Sequence, residues 1–290
     1  MLQKQGQHRI SQVYLKQFAF RHPKTKAYVI SVYERGNPIT SYKSIKSFTK
    51  ETNLFDTPLA DPGFERYFEN SSKKVETNYP KVLRSIDQTG ELDKFCREQL
   101  IAFVSNLFLS QGTTRELFLT PILESKQIRA KLFNEITMFY DEPELHKLVL
   151  EEIADDKQHS TSHKLNLIKA QIWGHLSIVL KQLSLVILRA RPETGWFTSD
   201  NPVIIDTRDN IEAWIVPPQA EIYFPLSPEY LLFIHNHRVN TDNPIKNFEP
   251  NKVTDAPMEI MDSIMRTKIG LSANRFAICC SDLGIVDLRK

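Results

Sequence analysis

Glycine and cysteine are scarce in this 290-residue chain, which contains nine glycines and three cysteines. Glycine-rich loops hold the phosphates of nucleotides in many enzymes, and neither of the usual patterns for such loops is present. The three cysteines, Cys96, Cys279 and Cys280, show no zinc-binding spacing, and the adjacency of two of them argues against a disulfide framework. The sequence therefore disfavours a nucleotide-cofactor enzyme and predicts a reducing, cytoplasmic location.

Long apolar runs are also missing. Runs such as residues 183–188 are far shorter than the roughly 20 residues that a membrane-spanning helix needs. The first twelve residues are polar and lack the apolar core of a signal peptide. We therefore expect a cytoplasmic protein with no membrane partner.

The chain has no large excess of positive or negative charge, since 37 basic and 35 acidic residues leave a net charge of +2. This balance gives the chain as a whole no electrostatic signature of nucleic-acid binding, although it is compatible with a local basic patch. The apolar content of 41% is ordinary for a soluble globular protein.

Hydrophobic periodicity divides the chain into three regions. Residues 1–63 form an N-terminal segment in which the alternation from Tyr28 to Tyr33, followed by Arg-Gly-Asn-Pro, predicts a β-hairpin. Residues 64–182 are predicted to be helical, with Pro80 kinking or breaking the first helix. The predicted helices are 64–88, 92–117, 120–140, 143–155 and 160–182.

From residue 183 onward the pattern of apolar residues changes from helical to strand-like, and residues 183–290 are predicted to be rich in strands. The predicted strands are 183–190, 195–198, 202–206, 213–216, 221–225 and 229–236, followed by a helix at 256–271 and two last strands. Helices followed by strands indicate the α+β class. We predict a single α+β domain, residues 1–290, in which the helical region packs against the N-terminal hairpin and a C-terminal, mostly antiparallel sheet.

The most informative polar group is Ser199-Asp200-Asn201-Pro202, which follows an apolar Trp-Phe pair. Asp and Asn side chains bind nearby backbone amides in turns, and a residue before proline is held extended. A similar turn is predicted at Pro225-Leu226-Ser227-Pro228, and the two turns are expected to face each other. Asp200 is therefore either a turn former or a site residue at a strand end.

Histidine pairs give weaker indications of metal binding. His159 and His163 lie four residues apart, and His235 and His237 would share one face of a strand. Asp155 and Asp156 lie close to the first pair in the sequence, whereas no third ligand is identifiable by spacing for the second pair. An exposed connection between helices and a polar loop after a strand are the alternative interpretations.

Several short segments match a known family in order along the chain. The opening His8-x-x-x-Gln12-x-Tyr14-Leu15-x-x-Phe18 resembles the start of an uncharacterised, mainly bacterial family, the domain of unknown function 4238. Further matching segments are Val32-Tyr33-Glu34-Arg35, Gln111-x-x-x-Arg115, Thr198-Ser199-Asp200-Asn201-Pro202, Pro225-Leu226-Ser227-Pro228 and Ser272-Ala273-x-Arg275-Phe276. The chain departs from the family at Gln12, where proline is more usual, and at Gly112-Thr113-Thr114. The family implies no reaction.

The resemblance concentrates polar residues that could converge on one site. In such a site His8 would be a base, Glu65 and Asp200 carboxylates and Arg115 an anion-binding group, and these four are the predicted catalytic residues. Gln12, Gln111 and Asn201 are predicted to bind substrate, with Glu76 a further carboxylate nearby. A set of this kind would bind a divalent metal or position a phosphate for cleavage.

Two hypotheses follow. In the first, the protein is an intracellular effector acting on nucleic acid, nuclease-like, of a toxin or phage-defence kind. In the second, it is a non-catalytic binding or assembly protein with a protein partner, and the same polar residues form a structural network. An open cleft lined by these residues favours the first hypothesis, whereas buried and mutually bonded side chains favour the second.

Overall fold

A computed structural model describes nine stretches of the chain and the single positions 147 and 151. The stretches are residues 6–8, 10–22, 24–37, 39–48, 50–52, 67–137, 161–207, 216–239 and 242–280. The predicted helix 143–155, most of the predicted strand 213–216 and the last predicted strand fall outside them. His159 and the side chain of His163 do so as well.

The N-terminal region is built from short strands around one short helix. Strand β1 (Gly6–His8) pairs antiparallel with β5 (Lys50–Thr52). Helix α1 (Gln12–Leu15) continues into a 3-10 segment, Lys16–Phe18, and leads to β2 (Phe20–Arg21). Strands β3 (Tyr28–Glu34) and β4 (Thr40–Ser44) form the predicted hairpin, which is therefore confirmed.

The central region is helical, as predicted. Its helices are α2 (Tyr67–Thr89), α3 (Lys94–Ser110), α4 (Gly112–Thr114), α5 (Thr120–Glu124), α6 (Lys126–Thr137) and α7 (Thr161–Lys181). A π-helical segment, Arg115–Leu119, joins α4 to α5. A kink or a break was predicted at Pro80, and helix α2 continues through it, so there is no break. Tyr79 and Val82 on either side of the proline are buried, and their packing offsets the roughly 3 kcal/mol that an interior proline costs.

The predicted helix 92–117 is interrupted at Gln111, because α3 ends at Ser110. Gln111 has an extended conformation, with φ −68° and ψ 151°, and a new helix begins after it. The start of α3 is conventional, since the Asp93 side chain accepts a hydrogen bond of 2.6 Å from the backbone amide of Cys96. That bond lowers the pKa of the Asp93 carboxyl below its usual value.

Five strands form what we call the C-terminal sheet. They are β6 (Ser184–Arg189), β8 (Ile204–Asp206), β9 (Glu221–Pro225), β10 (Tyr230–His235) and β11 (Val253–Asp255), in the order β11-β6-β10-β9-β8. Its pairs are antiparallel except for β11 with β6. Every residue of β10 is buried, because the sheet is covered on both faces. One face packs residues such as Phe224 and Leu232 against the helices, and the other packs Phe233 against Met261.

A second sheet joins the two ends of the chain, and we call it the joining sheet. Two of its strands, β7 (Thr198–Ser199) and β12 (Phe276–Cys279), come from the C-terminal region. The sheet has the order β2-β3-β12-β7, with β4 on the other edge of β3. Before β12, helix α8 (Met258–Ile264) passes through a π-helical segment, Met265–Ile269, into α9 (Gly270–Ser272). Helices in the centre and mostly antiparallel sheets around them confirm the α+β prediction.

Candidate functional site

Three of the seven predicted site residues, Gln111, Asp200 and Asn201, are held by hydrogen bonds to other parts of the protein. We call these three side chains and the groups that they bind the polar junction. It lies where the break between α3 and α4 meets β7 and the end of α9. The hydrogen-bond partners of each side chain show how it is held in the fold.

Gln111 pairs with the backbone of one residue. Its amide nitrogen Nε2 donates to the carbonyl oxygen of Val203 over 2.9 Å, and its Oε1 accepts from the amide of Val203 over 3.2 Å. The side chain is 3% exposed. Gln111 therefore acts like a strand neighbour for Val203, and this pairing explains why the chain turns away from the helix at that residue.

Asn201 connects α4 with α9. Its Nδ2 donates to the carbonyl oxygen of Ser272 over 3.1 Å, and its Oδ1 accepts from the Thr113 hydroxyl over 2.5 Å and from the Thr113 amide over 3.4 Å. Asn201 is 4% exposed. The departure from the family at residues 112–114 thus supplies a hydrogen-bond partner to a segment that resembles the family.

Asp200 connects β7 with the start of β12. Its carboxylate accepts from the backbone amides of Asn274 and Arg275, over 3.0 and 2.9 Å, and its own amide donates to the carbonyl of Phe276 over 3.0 Å. Burial raises the pKa of Asp200 above its usual value, and the amide hydrogen bonds partly oppose that rise. Arg275 in turn donates from Nε to Glu34 of the hairpin over 2.7 Å.

A buried tyrosine ties together the two turns that were expected to face each other. The Tyr14 hydroxyl donates to the carbonyl of Pro225 over 2.8 Å and lies 2.6 Å from the hydroxyl oxygen of Thr198. Because the single proton of Tyr14 points at Pro225, Thr198 is the donor in the second bond. Tyr79 holds the same turn by donating to the carbonyl of Leu226 over 2.6 Å. Several segments that resemble the family therefore meet in one network of hydrogen bonds.

Of the other four predicted residues, two have side chains outside those that the structure describes, and two stand at the start of helical segments. His8 ends β1 opposite Lys50, but its imidazole is outside the described side chains. Glu65 falls outside the described residues. Gln12 begins α1 and is exposed, and Arg115 begins the π-helical segment and is half-buried. The catalytic and substrate-binding roles of all seven residues stay predictions.

A polar cavity of about 420 Å³ lies beside the first residues of β9, and sequence reasoning missed it. The Glu221 carboxylate at its wall accepts from the Tyr223 hydroxyl and from Nδ2 of Asn243, both over 2.8 Å. Lys246 Nζ lies 3.6 Å from the other oxygen of Glu221, and Lys268 forms an ion pair with Asp206. The buried polar groups at this cavity therefore bind one another.

His235 lies directly opposite Glu221 on the neighbouring strand. It is 2% exposed, and neither ring nitrogen has a hydrogen-bond partner among the described groups. Burial, followed by the positive charge of Lys246, lowers the pKa of His235 to about 4, so the ring is neutral at pH 7. Within the described residues no group of three or more His, Cys, Asp or Glu side chains is placed to hold a metal ion.

Basic residues are concentrated near the N-terminus, and the balanced net charge conceals this concentration. Residues 1–50 contain ten Lys or Arg and a single acidic residue, Glu34, whereas the other 240 residues contain 27 basic and 34 acidic ones. Counting charge segment by segment is the signal that would have revealed it. Seven of these basic side chains are described as exposed. We call six of them, all except Arg35 in the turn after β3, the basic surface: Lys16, Arg21, Lys24, Lys26, Lys43 and Lys46.

The basic surface surrounds two exposed aromatic rings. Tyr28 is 37% exposed and Tyr42 is 46% exposed. Lys16 Nζ and Arg21 Cζ lie 5.1 and 5.3 Å from the centre of the Tyr28 ring. A hydrogen bond from Arg21 and the charges of Arg21 and Lys16 lower the pKa of Tyr28. Cations and aromatic rings therefore alternate over the short strands around β3.

Among the described stretches, no helix is both long enough and apolar enough to span a bilayer.

Comparison with known proteins gives one result: the family described as protein of unknown function (DUF4238) matches residues 6–265. Neither the curated proteins nor the solved structures contain a match. The matched span holds nearly all of the segments that resemble the family. The chain therefore belongs to the DUF4238 family.

Proposed function

We propose that the protein is an effector that acts on nucleic acid and holds it on the basic surface. The observation that supports this function is the segregation of charge. Residues 1–50 carry nine more basic than acidic residues, and the rest of the chain carries seven more acidic than basic ones. A polyanion is attracted to the N-terminal region and repelled by the remainder of the protein.

The cations of the basic surface are available to phosphates. None of the six forms an ion pair with a carboxylate of the described residues, and Glu34, the acid among residues 1–50, is bound by Arg275. Lys and Arg side chains bind nucleic acid chiefly by neutralising phosphates and releasing the counterions condensed on them. The affinity should therefore fall steeply as salt is added.

Cleavage of the bound strand is the catalytic part of the nucleic-acid hypothesis, and it assigns His8, Glu65, Arg115 and Asp200 to the reaction. The Asp200 carboxylate accepts two backbone amides, which favours a structural role for that residue. The burial and pairing of Gln111 and Asn201 favour the same role for them. Binding without catalysis is thus the second candidate function, and the contacts of the polar junction support it.

The test measures binding of fluorescently labelled 20-residue RNA and DNA by anisotropy between 50 and 300 mM salt. The test variant is Lys24→Glu/Lys26→Glu/Lys43→Glu. The matched control, Lys74→Glu/Lys126→Glu/Lys131→Glu, makes the same change of charge at three exposed lysines of the helical region. The wild type should bind with strong salt dependence, and the test variant should bind at least about tenfold more weakly with a shallower salt slope. The control should change the affinity by less than about twofold.

Equal weakening by the two variants, or no salt-dependent binding by the wild type, would overturn the proposal. Incubating the same oligonucleotides with the protein and Mg²⁺ distinguishes cleavage of the nucleic acid from binding alone. Shortened products that require the protein establish cleavage. Intact oligonucleotide under conditions of full binding establishes the non-catalytic function.

A further inference from the structure

We infer that the basic surface binds single-stranded nucleic acid, with bases stacking on Tyr42 and Tyr28. This inference rests on the proposed function and names the form of the nucleic acid. It follows from the position of the two rings and from the kind of secondary structure that carries the cations.

Tyr42 is exposed on an edge strand. Among the described strands β4 pairs only with β3, so Tyr42 lies at the border of the joining sheet. Its ring makes edge contacts with Phe20 and His22, with ring centres 5.5 and 5.7 Å apart and interplanar angles of 84° and 76°. These contacts restrict the ring, and 46% of the residue still faces solvent. A restricted and exposed ring loses little entropy when a base stacks on it.

Tyr28 combines a ring with two cations. It pairs across the strands with Arg21, whose guanidinium lies 5.3 Å from the ring centre, and Lys16 Nζ lies 5.1 Å away. A base that stacks at Tyr28 therefore has its phosphate within reach of two positive charges. Stacking on aromatic rings beside cations that follow the backbone is how proteins bind single strands without requiring a sequence.

A duplex does not fit these features. The faces of its bases are already stacked on one another, so an aromatic ring can reach a base face only in an unstacked strand. Reading of duplex DNA in the major groove usually uses an α-helix or a two-stranded ribbon that presents side chains to base edges. In the described part of residues 10–48 the α-helix is α1, which has four residues, and Tyr14 and Leu15 of that helix are buried. The β3–β4 hairpin is not a separate two-stranded ribbon, because β3 also pairs with β2 and β12 in the joining sheet.

The experiment compares the affinity for a single-stranded 20-residue oligonucleotide with that for the matched duplex at 100 mM salt. The variants are Tyr42→Ala, Tyr28→Ala and the double variant. Tyr42→Phe keeps the ring, and Phe95→Ala removes an exposed ring of α3 that is 49% exposed, as a matched control. Thermal melts establish that each variant is folded before its affinity is compared.

The wild type should bind the single strand at least about tenfold more tightly than the duplex. Each alanine variant should lose about fivefold or more of the single-strand affinity, and the double variant more than either. Tyr42→Phe and Phe95→Ala should bind like the wild type.

Equal binding of single strand and duplex by the wild type would overturn this inference while leaving the proposed function standing. The preference of the wild type does not depend on how any variant folds. Binding to vesicles containing phosphatidylserine, with no binding to either nucleic acid, would overturn both the inference and the proposed function. Such a result would assign the basic surface to an anionic membrane.

Discussion

The polar junction and the basic surface use polar side chains in opposite ways. At the junction Gln111 and Asn201 are 3% and 4% exposed, and their amide groups bind the backbone of distant segments. On the basic surface six cations are exposed and unpaired with any described carboxylate. Gln111, Asp200 and Asn201 are matching positions in the segments that resemble the family, whereas none of the six cations is a matching position. The segments that resemble the family therefore contain side chains that hold the fold together.

The polar junction and the basic surface differ in how much stability the protein loses when a polar group has no partner. A buried amide or carbonyl group that loses its hydrogen-bond partner lowers the stability of the folded protein by about 1–3 kcal/mol. An exposed ammonium stays solvated, and a surface ion pair contributes at most about 1 kcal/mol. Changes at the junction should therefore act on stability, and changes on the basic surface should act on binding.

The largest effect on stability is expected from Gln111→Ala. The substitution leaves the amide and the carbonyl of Val203 without partners and opens a small buried cavity, so we expect a loss of about 2–4 kcal/mol. Urea denaturation measures it. Gln182→Ala, at an exposed glutamine after α7, is the matched control and should cost less than about 0.5 kcal/mol. A Gln111→Ala protein as stable as this control would break the comparison.

His235 should make stability depend on pH. Its pKa is about 4 in the folded protein and near 6.5 in the unfolded chain, so the unfolded state binds more protons between these values. The stabilisation is complete above pH 6.5 and is lost as the pH falls towards 4, by about 3 kcal/mol in total. His235→Phe should flatten this part of the pH profile, and the exposed His237→Gln should leave it unchanged. An unaltered profile in His235→Phe would show that the ring is not held neutral by burial.

Asp200→Ala should have a moderate effect. It removes the acceptor of the Asn274 and Arg275 amides, but Asn274 and Arg275 are themselves exposed, so water replaces part of these hydrogen bonds. We expect a loss of about 1–2 kcal/mol, measured as a fall of a few degrees in melting temperature. If Asp200→Ala melts like the wild type and an oligonucleotide is no longer cleaved, Asp200 is catalytic and the structural interpretation is wrong.

The smallest effect on stability is expected from Lys24→Glu/Lys26→Glu/Lys43→Glu. All three side chains are exposed, so the free energy of unfolding should change by less than about 0.5 kcal/mol. Urea denaturation beside the helical-region lysine control measures it. A loss of several kcal/mol would mean that the basic residues hold the hairpin in place.

Local patterns predicted much of the fold. The alternation in Tyr28–Glu34 and the spacing in Thr161–Lys181 gave a strand and a helix that the structure confirms. The break at Gln111 could not be predicted, because it depends on pairing with Val203, which is 92 residues away in the chain. The uninterrupted helix at Pro80 depends in the same way on the packing of Tyr79. Tertiary contacts override local preference at both positions.

The candidate site was less accessible from the sequence. Polar residues in matching segments drew attention to Asp200 and Asn201, but a sequence does not show which backbone groups a side chain will bind. The basic surface was visible in the order of charged residues along the sequence. The net charge of the whole chain hides it, because the acidic excess of residues 51–290 offsets the basic excess of residues 1–50.

The most direct test measures two quantities for two variants: the free energy of unfolding and the Kd for a single-stranded oligonucleotide, at a temperature where both variants are folded. The Gln111→Ala variant should lose about 2–4 kcal/mol of stability and keep the wild-type Kd. The Lys24→Glu/Lys26→Glu/Lys43→Glu variant should keep its stability and bind at least about tenfold more weakly. The opposite pattern, in which Gln111→Ala loses binding at full stability and the lysine variant binds normally, would contradict the account.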